Sequence, residues 1–190
     1  MLEHLPHAVG AALRGVGPGL DKLAANSRFG AAPETLALTS PAFAAGGPMP
    51  GDCTADGRGL SPPLAWRGVP PGAAEVVVVI EDADSPTPAP LVHTLLYGLP
   101  GRDGEIAEGA LTGPDQGAGG GRLGQNSFMK SAYLPPDPPP GHGPHRYAVQ
   151  VFALDAPTGL APGAGRGALL DAMAGHVLAR GLLIGTYRRG

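Results

Sequence analysis

The stretch Glu75-Val76-Val77-Val78-Val79-Ile80-Glu81 decides the fold class of this chain. Its five central residues are all β-branched and apolar, which favours a strand. Because no polar residue alternates with them, both faces of this strand should be buried, as they are at the centre of a sheet. Leu91 to Leu99 and Tyr147 to Leu154 are two further strand-like runs, and Leu182-Leu183-Ile184 predicts a terminal strand.

Helical patterns are confined to the two ends of the chain. At the start, apolar residues recur at three- and four-residue steps, which predicts an amphipathic segment that packs on its own domain or on a second subunit. These residues are Leu2, Leu5, Val9, Leu13, Val16 and Leu20. Gly15, Gly17, Pro18 and Gly19 should break the segment into a helix and a shorter continuation toward Leu23. Near the other end, Gly167 to Ala179 has helical spacing and should close one face of the sheet. Since strands and helices do not alternate between these ends, the strands should pair mainly antiparallel.

The composition favours a single loop-rich globular domain. The 190 residues include 32 Gly and 23 Pro, yet 43% of the chain is hydrophobic and falls in discrete runs, which is enough to build a core. Gly101 to Ala132 carries few core residues and is expected to form a mobile loop.

The charge pattern argues against nucleic-acid binding and stable membrane insertion. The net charge is −3 and no basic cluster stands out. No apolar run is long enough to span a bilayer, and Glu3, His4, His7 and Arg14 interrupt any signal-peptide pattern at the start. The single cysteine, Cys53, has no second cysteine for an internal disulfide, which fits a reducing compartment. We therefore expect a cytoplasmic protein.

Two histidines and two aspartates are the candidate functional residues. Asp82 and Asp84 follow the buried strand directly, where side chains point into a rim pocket, although Asp84 also fits a capped turn. His93 lies at the head of the next strand, and a loop rich in Gly and Pro delivers His145 onto the third. Imidazoles beside carboxylates can hold, sense or protonate an anionic group. The residues alone leave these three uses open.

Metal and hydrolase sites are the alternatives for the same residues. Asp and two His are suitable zinc or iron ligands, but their spacing matches no standard signature. A serine hydrolase lacks its Gly-x-Ser-x-Gly elbow, since Ser61, Ser85 and Ser127 lie in turn-like contexts. We expect neither a metal nor another cofactor.

Several motifs together resemble the phosphatidylethanolamine-binding protein family, in its bacterial Raf-kinase-inhibitor-like branch. The first block is Ser61-Pro62-Pro63-Leu64-Ala65-Trp66, then Glu81-Asp82-Ala83-Asp84-Ser85-Pro86, then His93. The second is Gly141-His142-Gly143-Pro144-His145-Arg146-Tyr147, followed by Phe152-Ala153-Leu154-Asp155. Gly124-Gln125-Asn126-Ser127-Phe128 and the ending around Gly175 to Tyr187 are also similar. The resemblance covers roughly residues 35 to 189, so we divide the chain into an N-terminal helical extension (1–28) and a domain of this family (29–190).

The resemblance implies a mainly β fold, with a central antiparallel sheet, a smaller second sheet and peripheral helices. It also implies a pocket for phosphate, phosphorylated headgroups or other small anions. By motif position, the pocket residues are Asp82, His93, Pro139, His145 and Tyr147, with Asp84 and Pro86 at the rim. The chain departs from the family at Pro135-Pro136-Asp137-Pro138-Pro139, where Pro135 replaces a glycine and Asp137 adds negative charge near the pocket.

Three functions remain open at this point. The first is a soluble protein that binds a small anion or phospho-headgroup through two histidines and one aspartate, with a regulatory role open to it. The second is an isomerase, cyclase or hydrolase in which Asp82 and His145 act as acid and base, with His93 as a further catalytic candidate. The third is a regulatory protein that docks on an unidentified protein partner. A homodimer is also expected, because the N-terminal stripe offers apolar surface.

Overall fold

The computed structural model describes residues 6–113 and 118–189, which form eight strands and three α-helices. The strands are β1 (Ala37–Thr39), β2 (Leu64–Arg67), β3 (Glu75–Asp82), β4 (Leu91–Pro100), β5 (Gly104–Ile106), β6 (Arg122–Leu123), β7 (His145–Leu154) and β8 (Val177–Tyr187). The helices are α1 (His7–Ala12), α2 (Ala24–Ser27) and α3 (Arg166–Met173), with short 3-10 turns at Leu20–Lys22, Gly51–Cys53 and Ala118–Gly120.

Two antiparallel sheets make up the fold. The larger has the order β6-β4-β3-β7-β8, and the smaller has the order β1-β2-β5. Strand β3 lies at the centre of the larger sheet and pairs with β4 on one side and β7 on the other. The expected fold class, mainly β with a central antiparallel sheet, a smaller second sheet and peripheral helices, is confirmed.

The uninterrupted apolar run of β3 is explained by packing on both of its faces. Val76, Val78 and Ile80 belong to the core beneath the smaller sheet, which also contains Trp66. The alternating Val77 and Val79 belong to a second core that α3 covers with side chains including Leu169. Because successive strand residues face opposite ways, a layer on each side requires apolar residues at every position.

The predicted C-terminal helix ends earlier than the sequence pattern indicates. Helix α3 stops at Met173, and Gly175 takes a positive φ of 82° that glycine adopts at little cost. Val177 already belongs to β8 and pairs with Leu154. The helical spacing of Val177 and Leu178 was misleading, because long-range pairing with β7 decides their conformation.

The N-terminal extension packs on its own domain, though not as one continuous helix. Helix α1 ends at Ala12, and Val9 and Val16 remain 41% and 50% exposed. A Cβ at Gly10 would lie 2.0 Å from the Pro140 carbonyl oxygen, so α1 sits directly on that loop. The glycines at 15, 17 and 19 interrupt the stripe as the sequence indicates, and the stripe is only partly buried against the domain. Two of its residues, Leu2 and Leu5, lie outside the described residues.

Buried hydrogen bonds hold the end of the extension to the central sheet. The Ala24 amide donates to Glu81 Oε2 at 2.9 Å, and the Ala25 amide donates to Gln150 Oε1 at 2.7 Å. Gln150 Nε2 also donates to Glu81 Oε2, and Arg166 Nε donates to Glu81 Oε1. Glu81 is therefore a fully buried carboxylate with a partner on each oxygen.

Of the helices in residues 6–113 and 118–189, none is both long and apolar enough to cross a bilayer.

Candidate functional site

A cavity of about 430 Å³ opens at the ends of the three central strands, a size typical of a small-molecule site. Its walls combine apolar side chains with a few polar groups. The lining residues are Ala55, Asp82, Ser85, Pro86, Leu91, His93, Phe128, Lys130, Leu134, Pro135, Asp137, Pro138 and His145.

Strand register explains why distant polar residues meet at this cavity. Asp82 ends β3 and lies opposite Leu91 of β4 and Tyr147 of β7. His145 begins β7, and His93 is near the start of β4. The antiparallel neighbours of β3 therefore start where β3 ends, and the two imidazoles and one carboxylate line a common hollow.

Both oxygens of the Asp82 carboxylate are engaged inside the protein. Oδ1 accepts a hydrogen bond from the Asp84 amide at 2.8 Å, and Oδ2 accepts one from His145 Nδ1 at 2.7 Å. A carboxylate without a proton only accepts, so His145 carries a proton on Nδ1. Asp82 thus orients His145 and has little left to offer a ligand directly.

The other nitrogen of His145 is held by a third histidine, His142. His142 Nδ1 lies 2.8 Å from His145 Nε2, and both rings are buried. Burial, followed by the neighbouring His145 ring, lowers the pKa of His142. His142 was expected only as part of the loop motif and not as a site residue. Its three-residue separation from His145 in a loop constrained by Gly143 and Pro144 was the available signal.

His93 lines the cavity and has one ring nitrogen without a hydrogen-bond partner among the described residues. Its Nδ1 lies 2.6 Å from the Leu134 carbonyl oxygen, which only accepts, so the proton is on Nδ1. His93 Nε2 is buried and has no hydrogen-bond partner among the described residues. Burial lowers the pKa of His93, although the Asp82 charge and the Leu134 carbonyl act in the opposite direction. In the neutral ring Nε2 is therefore an acceptor, and it becomes a donor only when the ring takes up a proton.

Tyr147 lies against both histidine rings. Its ring centroid is 5.2 Å from that of His93 in an edge arrangement and 6.2 Å from that of His145 in a stacked one. Its hydroxyl is buried with no hydrogen-bond partner in the described part of the chain. Burial raises the pKa of Tyr147 well above 10.0, so the hydroxyl remains a donor.

Of the remaining residues expected at the site, one lines the cavity and two do not. Pro86 lines the cavity, whereas Asp84 binds Arg146 and lines a neighbouring cavity. Pro139 is buried and is not among the lining residues, where Pro135 and Pro138 are found instead.

Asp137, expected to add negative charge near the pocket, forms an ion pair within the protein. Asp137 lines the cavity, and Arg189 Nη1 donates to its Oδ1 at 2.6 Å. Because the same guanidinium also pairs with Asp56, it offsets the charge of Asp137 only in part.

The described residues contain no candidate metal site. Among residues 6–113 and 118–189, no group of three or more His, Cys, Asp or Glu side chains has the arrangement needed to hold a metal ion.

Most of the chain matches one known protein family. Residues 39–188 match the family model described as phosphatidylethanolamine-binding protein. The chain belongs to the phosphatidylethanolamine-binding protein family. The resemblance seen in the sequence motifs is thereby confirmed, and the extension before residue 39 lies outside the match.

Relatives of the phosphatidylethanolamine-binding protein family occur in archaea and bacteria. The UPF0098 protein of Methanothermobacter thermautotrophicus is 37% identical over 155 residues, which are 80% of this chain and 99% of that protein. A Mycobacterium tuberculosis protein named as a lipoprotein, LppC, is 33% identical over 156 residues, or 82% of this chain and 74% of that protein.

Two crystal structures of this family share the fold. A phosphatidylethanolamine-binding protein homologue from Chlamydia trachomatis, CT736, superposes with a TM-score of 0.74 at 34% identity and covers 82% of this chain and 98% of its own. Escherichia coli YbcL, described as a member of the mammalian family, gives 0.72 at 25% identity and covers 82% and 99%.

Proposed function

We propose that this chain is a binding protein whose 430 Å³ cavity takes a small molecule carrying an oxyanion, such as a phosphate, a phosphorylated headgroup or a carboxylate. The observation that carries the proposal is the buried Nε2 of His93, which has no partner among the described residues and lies in a cavity wall. Buried polar atoms in folded proteins are nearly always hydrogen-bonded, so an orphan of this kind is suited to a ligand.

His93 and Lys130 are the two groups that contact the oxyanion. The Lys130 ammonium lines the mouth of the cavity and is exposed, so it attracts an anion without a large desolvation cost. His93 Nε2 donates to the oxyanion when the ring is protonated, and it accepts a hydrogen bond from the ligand when the ligand oxygen facing it holds the proton. One proton therefore accompanies the anion into the site.

Asp82 and His145 act as positioning residues in this function. Asp82 fixes the proton of His145 on Nδ1, and His142 occupies His145 Nε2. The pair supplies the polar floor of the cavity and a positive potential when it is protonated. The apolar walls, including Leu91, Phe128 and Leu134, favour a ligand whose remainder is apolar.

The test is calorimetric titration of the full chain with inorganic phosphate and with acetate. We expect His93→Leu to weaken binding about tenfold or more and Lys130→Gln about fivefold, since each loses one charge-assisted contact. Lys22→Gln is the matched control, because Lys22 lies outside this cavity and donates to the Pro88 carbonyl. Unchanged affinity in both cavity variants would overturn the proposal.

An acid–base enzyme is the second candidate, favoured by the 2.7 Å contact between Asp82 and His145. A carboxylate that holds an imidazole in one tautomer is the orienting half of many catalytic sites. Against it, His145 Nε2 faces His142 rather than the cavity contents. Turnover of candidate metabolites that is lost in His145→Gln and kept in His176→Gln would establish the enzyme.

Cytoplasmic location and a homodimer also belong to this proposal. The location rests on the single buried Cys53, and subcellular fractionation tests it. The LppC relative makes a membrane-associated fraction the informative contrary result. The dimer rests on the exposed Val9 and Val16 of the extension. A regulatory role would follow from ligand-dependent binding to a protein partner.

A further inference from the structure

A second cavity, of about 480 Å³, lies beside the first and shares no lining residue with it. The extension forms one wall and the loop before β7 forms the other. The lining residues are Arg14, Gly15, Val16, Gly17, Gly19, Asp84, His142, Gly143, Pro144, Arg146 and Arg188.

The walls of this cavity are held closely by backbone contacts. The Gly19 amide donates to the Ala83 carbonyl at 2.9 Å. A Cβ at Gly17 would lie 3.0 Å from the Asp84 Cα, so the extension runs directly along the end of β3. Arg14 is placed by a bond from its Nη2 to the Gly141 carbonyl at 3.1 Å. The guanidinium is therefore positioned by the fold.

The second cavity carries an excess of positive charge. Three guanidinium groups line it against the single carboxylate of Asp84, which leaves two positive charges. Arg146 is committed to Asp84. Arg14 and Arg188 form no ion pair within the described residues and are both exposed. Two unneutralised guanidinium groups at one cavity suit a doubly charged oxyanion.

His142 adds a buried ring nitrogen without a well-formed hydrogen bond, although the backbone carbonyls of Leu13 and Val16 lie near the ring and favour its protonated form. Its residue is 5% exposed, its ring lines the second cavity, and its Nε2 has no hydrogen bond among the described residues. Its Nδ1 is used by His145, which lines the first cavity. One imidazole pair therefore joins the two cavities.

We propose that the second cavity is an oxyanion site that binds a phosphate or phosphate monoester between Arg14, Arg188 and the Nε2 of His142. The proposal goes beyond the function proposed for the first cavity and does not depend on it, because the two sites share no residue.

Binding at this site links the two cavities through a proton. With His145 protonated on Nδ1 and His142 donating to His145 Nε2, the neutral pair leaves His142 Nε2 as an acceptor. A bound oxyanion stabilises one extra proton, taken from solvent, so that Nε2 of His142 donates to it. The added positive charge on the pair also favours an anion in the first cavity, and by thermodynamic linkage the effect is reciprocal.

The test is a titration of the full chain with inorganic phosphate, followed through the histidine ring ¹⁵N resonances. His142 Nε2 reports the second cavity and His93 Nε2 the first. We expect Arg14→Gln/Arg188→Gln to raise the phosphate Kd measured at His142 at least about tenfold, with a smaller effect at His93. The matched control is Arg28→Gln/Arg67→Gln, which removes two exposed arginines from other surfaces.

An unchanged His142 titration in the Arg14/Arg188 variant would overturn the proposal, as would equal weakening in the control. If the first cavity does not bind an oxyanion, phosphate will leave the His93 resonance unshifted. That outcome is distinct from a failure at His142. Glycerol phosphate and dihexanoyl phosphatidic acid then distinguish a soluble phosphate monoester from a lipid headgroup as the natural ligand. Tighter binding of the lipid indicates a headgroup, and equal affinity indicates a soluble phosphate monoester.

Discussion

Asp84 accepts three hydrogen bonds from Arg146. The Arg146 backbone amide and Nε both donate to Oδ2 at 2.8 Å, and Nη2 donates to Oδ1 at 2.6 Å. Because Asp84 follows β3 and Arg146 belongs to β7, these bonds fasten two adjacent strands at the edge where both cavities open. They also place the Asp82 carboxylate, since the Asp84 amide donates to it.

Asp84→Asn is expected to destabilise the protein near neutral pH and to matter less in acid. Burial alone would raise the pKa of Asp84, but the bonds from Arg146 outweigh it and the pKa lies below 3.8. A depressed folded pKa gives stability that is complete above the unfolded pKa and is lost as pH falls through the folded one. We expect a loss of about 1 kcal/mol at pH 7, discounted for partial exposure, and a smaller difference at pH 3.

Urea unfolding of the wild type and Asp84→Asn at the two pH values measures this effect. Asp171→Asn is the control, because its pair with Arg28 is exposed, with side chains 72% and 43% accessible. A stability difference that is the same at both pH values would show that the lost bonds do not involve the ionised carboxylate.

Anion affinity of the first cavity is expected to fall as pH rises. Burial lowers the pKa of His93 below 6.5, so the ring is neutral near pH 7 and donates to an anion only after gaining a proton. Above the depressed pKa, affinity should drop by up to about tenfold per pH unit, the limit for one coupled proton. Sulfate is a suitable probe, because its own charge does not change in this range. Calorimetry in the Arg14→Gln/Arg188→Gln background, which removes the second oxyanion site, should show the slope with His93 and a flat profile with His93→Leu.

Asp82→Asn is expected to reverse the proton arrangement of His145. The wild-type carboxylate accepts from His145 Nδ1, whereas an amide can turn its NH₂ toward that nitrogen and make it an acceptor. The His145 proton would then lie on Nε2 and be donated to His142. Ring ¹⁵N chemical shifts measure the change, which should accompany a loss of about 1–3 kcal/mol in stability. Asp155→Asn, beside the exposed His176, provides the comparison. Retention of the Nδ1 proton in Asp82→Asn would contradict the assignment.

Glu81→Gln is expected to loosen the N-terminal extension. Both Glu81 oxygens accept hydrogen bonds, from Ala24, Gln150 and Arg166. The amide would turn a donor toward one of these donors inside the core, which costs about 2–3 kcal/mol. Urea unfolding and hydrogen exchange of the Ala24 and Ala25 amides measure the two consequences. Glu105→Gln is the control, since that side chain is 77% exposed. Equal effects of the two substitutions would remove Glu81 from this role.

A dimer formed through the extension should depend on Val9. Val9 is 41% exposed on α1 and lines neither cavity, so Val9→Glu would place a charge in an apolar contact at little cost to the monomer. We expect light scattering to give twice the monomer mass for the wild type and the monomer mass for Val9→Glu. Phe128→Ser, on a different exposed apolar residue, controls for general loss of surface apolarity. Identical masses for the wild type and Val9→Glu would exclude the extension as the interface.

The long strands could be predicted because the amino-acid composition of each one reflects its burial. The centre of β3 needs apolar residues on both faces, and the apolar run from Val76 to Ile80 indicated that directly. The short strands β5 and β6 carry no comparable signal, since they have three and two residues and depend on pairing with β2 and β4. Long-range pairing also overrode the helical spacing at Val177.

The candidate site was predictable as a set of residues but not as a hydrogen-bond network. Asp82, His93 and His145 follow from strand ends and loop chemistry, and they line one cavity. The sequence does not show which ring nitrogen each partner occupies, because that depends on side-chain rotation within tenths of an ångström. For this reason His142 was not predicted as a site residue, and Asp84 was predicted at the rim of the first cavity.

The close approach of α1 to the Pro140 loop has a practical consequence for anyone preparing this protein. The family match begins at residue 39, yet Leu23, Ala24 and Ala25 are completely buried and Arg14 belongs to a cavity wall. An expression boundary chosen from the family match would uncover part of the core and open the second cavity on one side. The unit that folds, and that should be cloned, begins ahead of the unit that is recognised by homology.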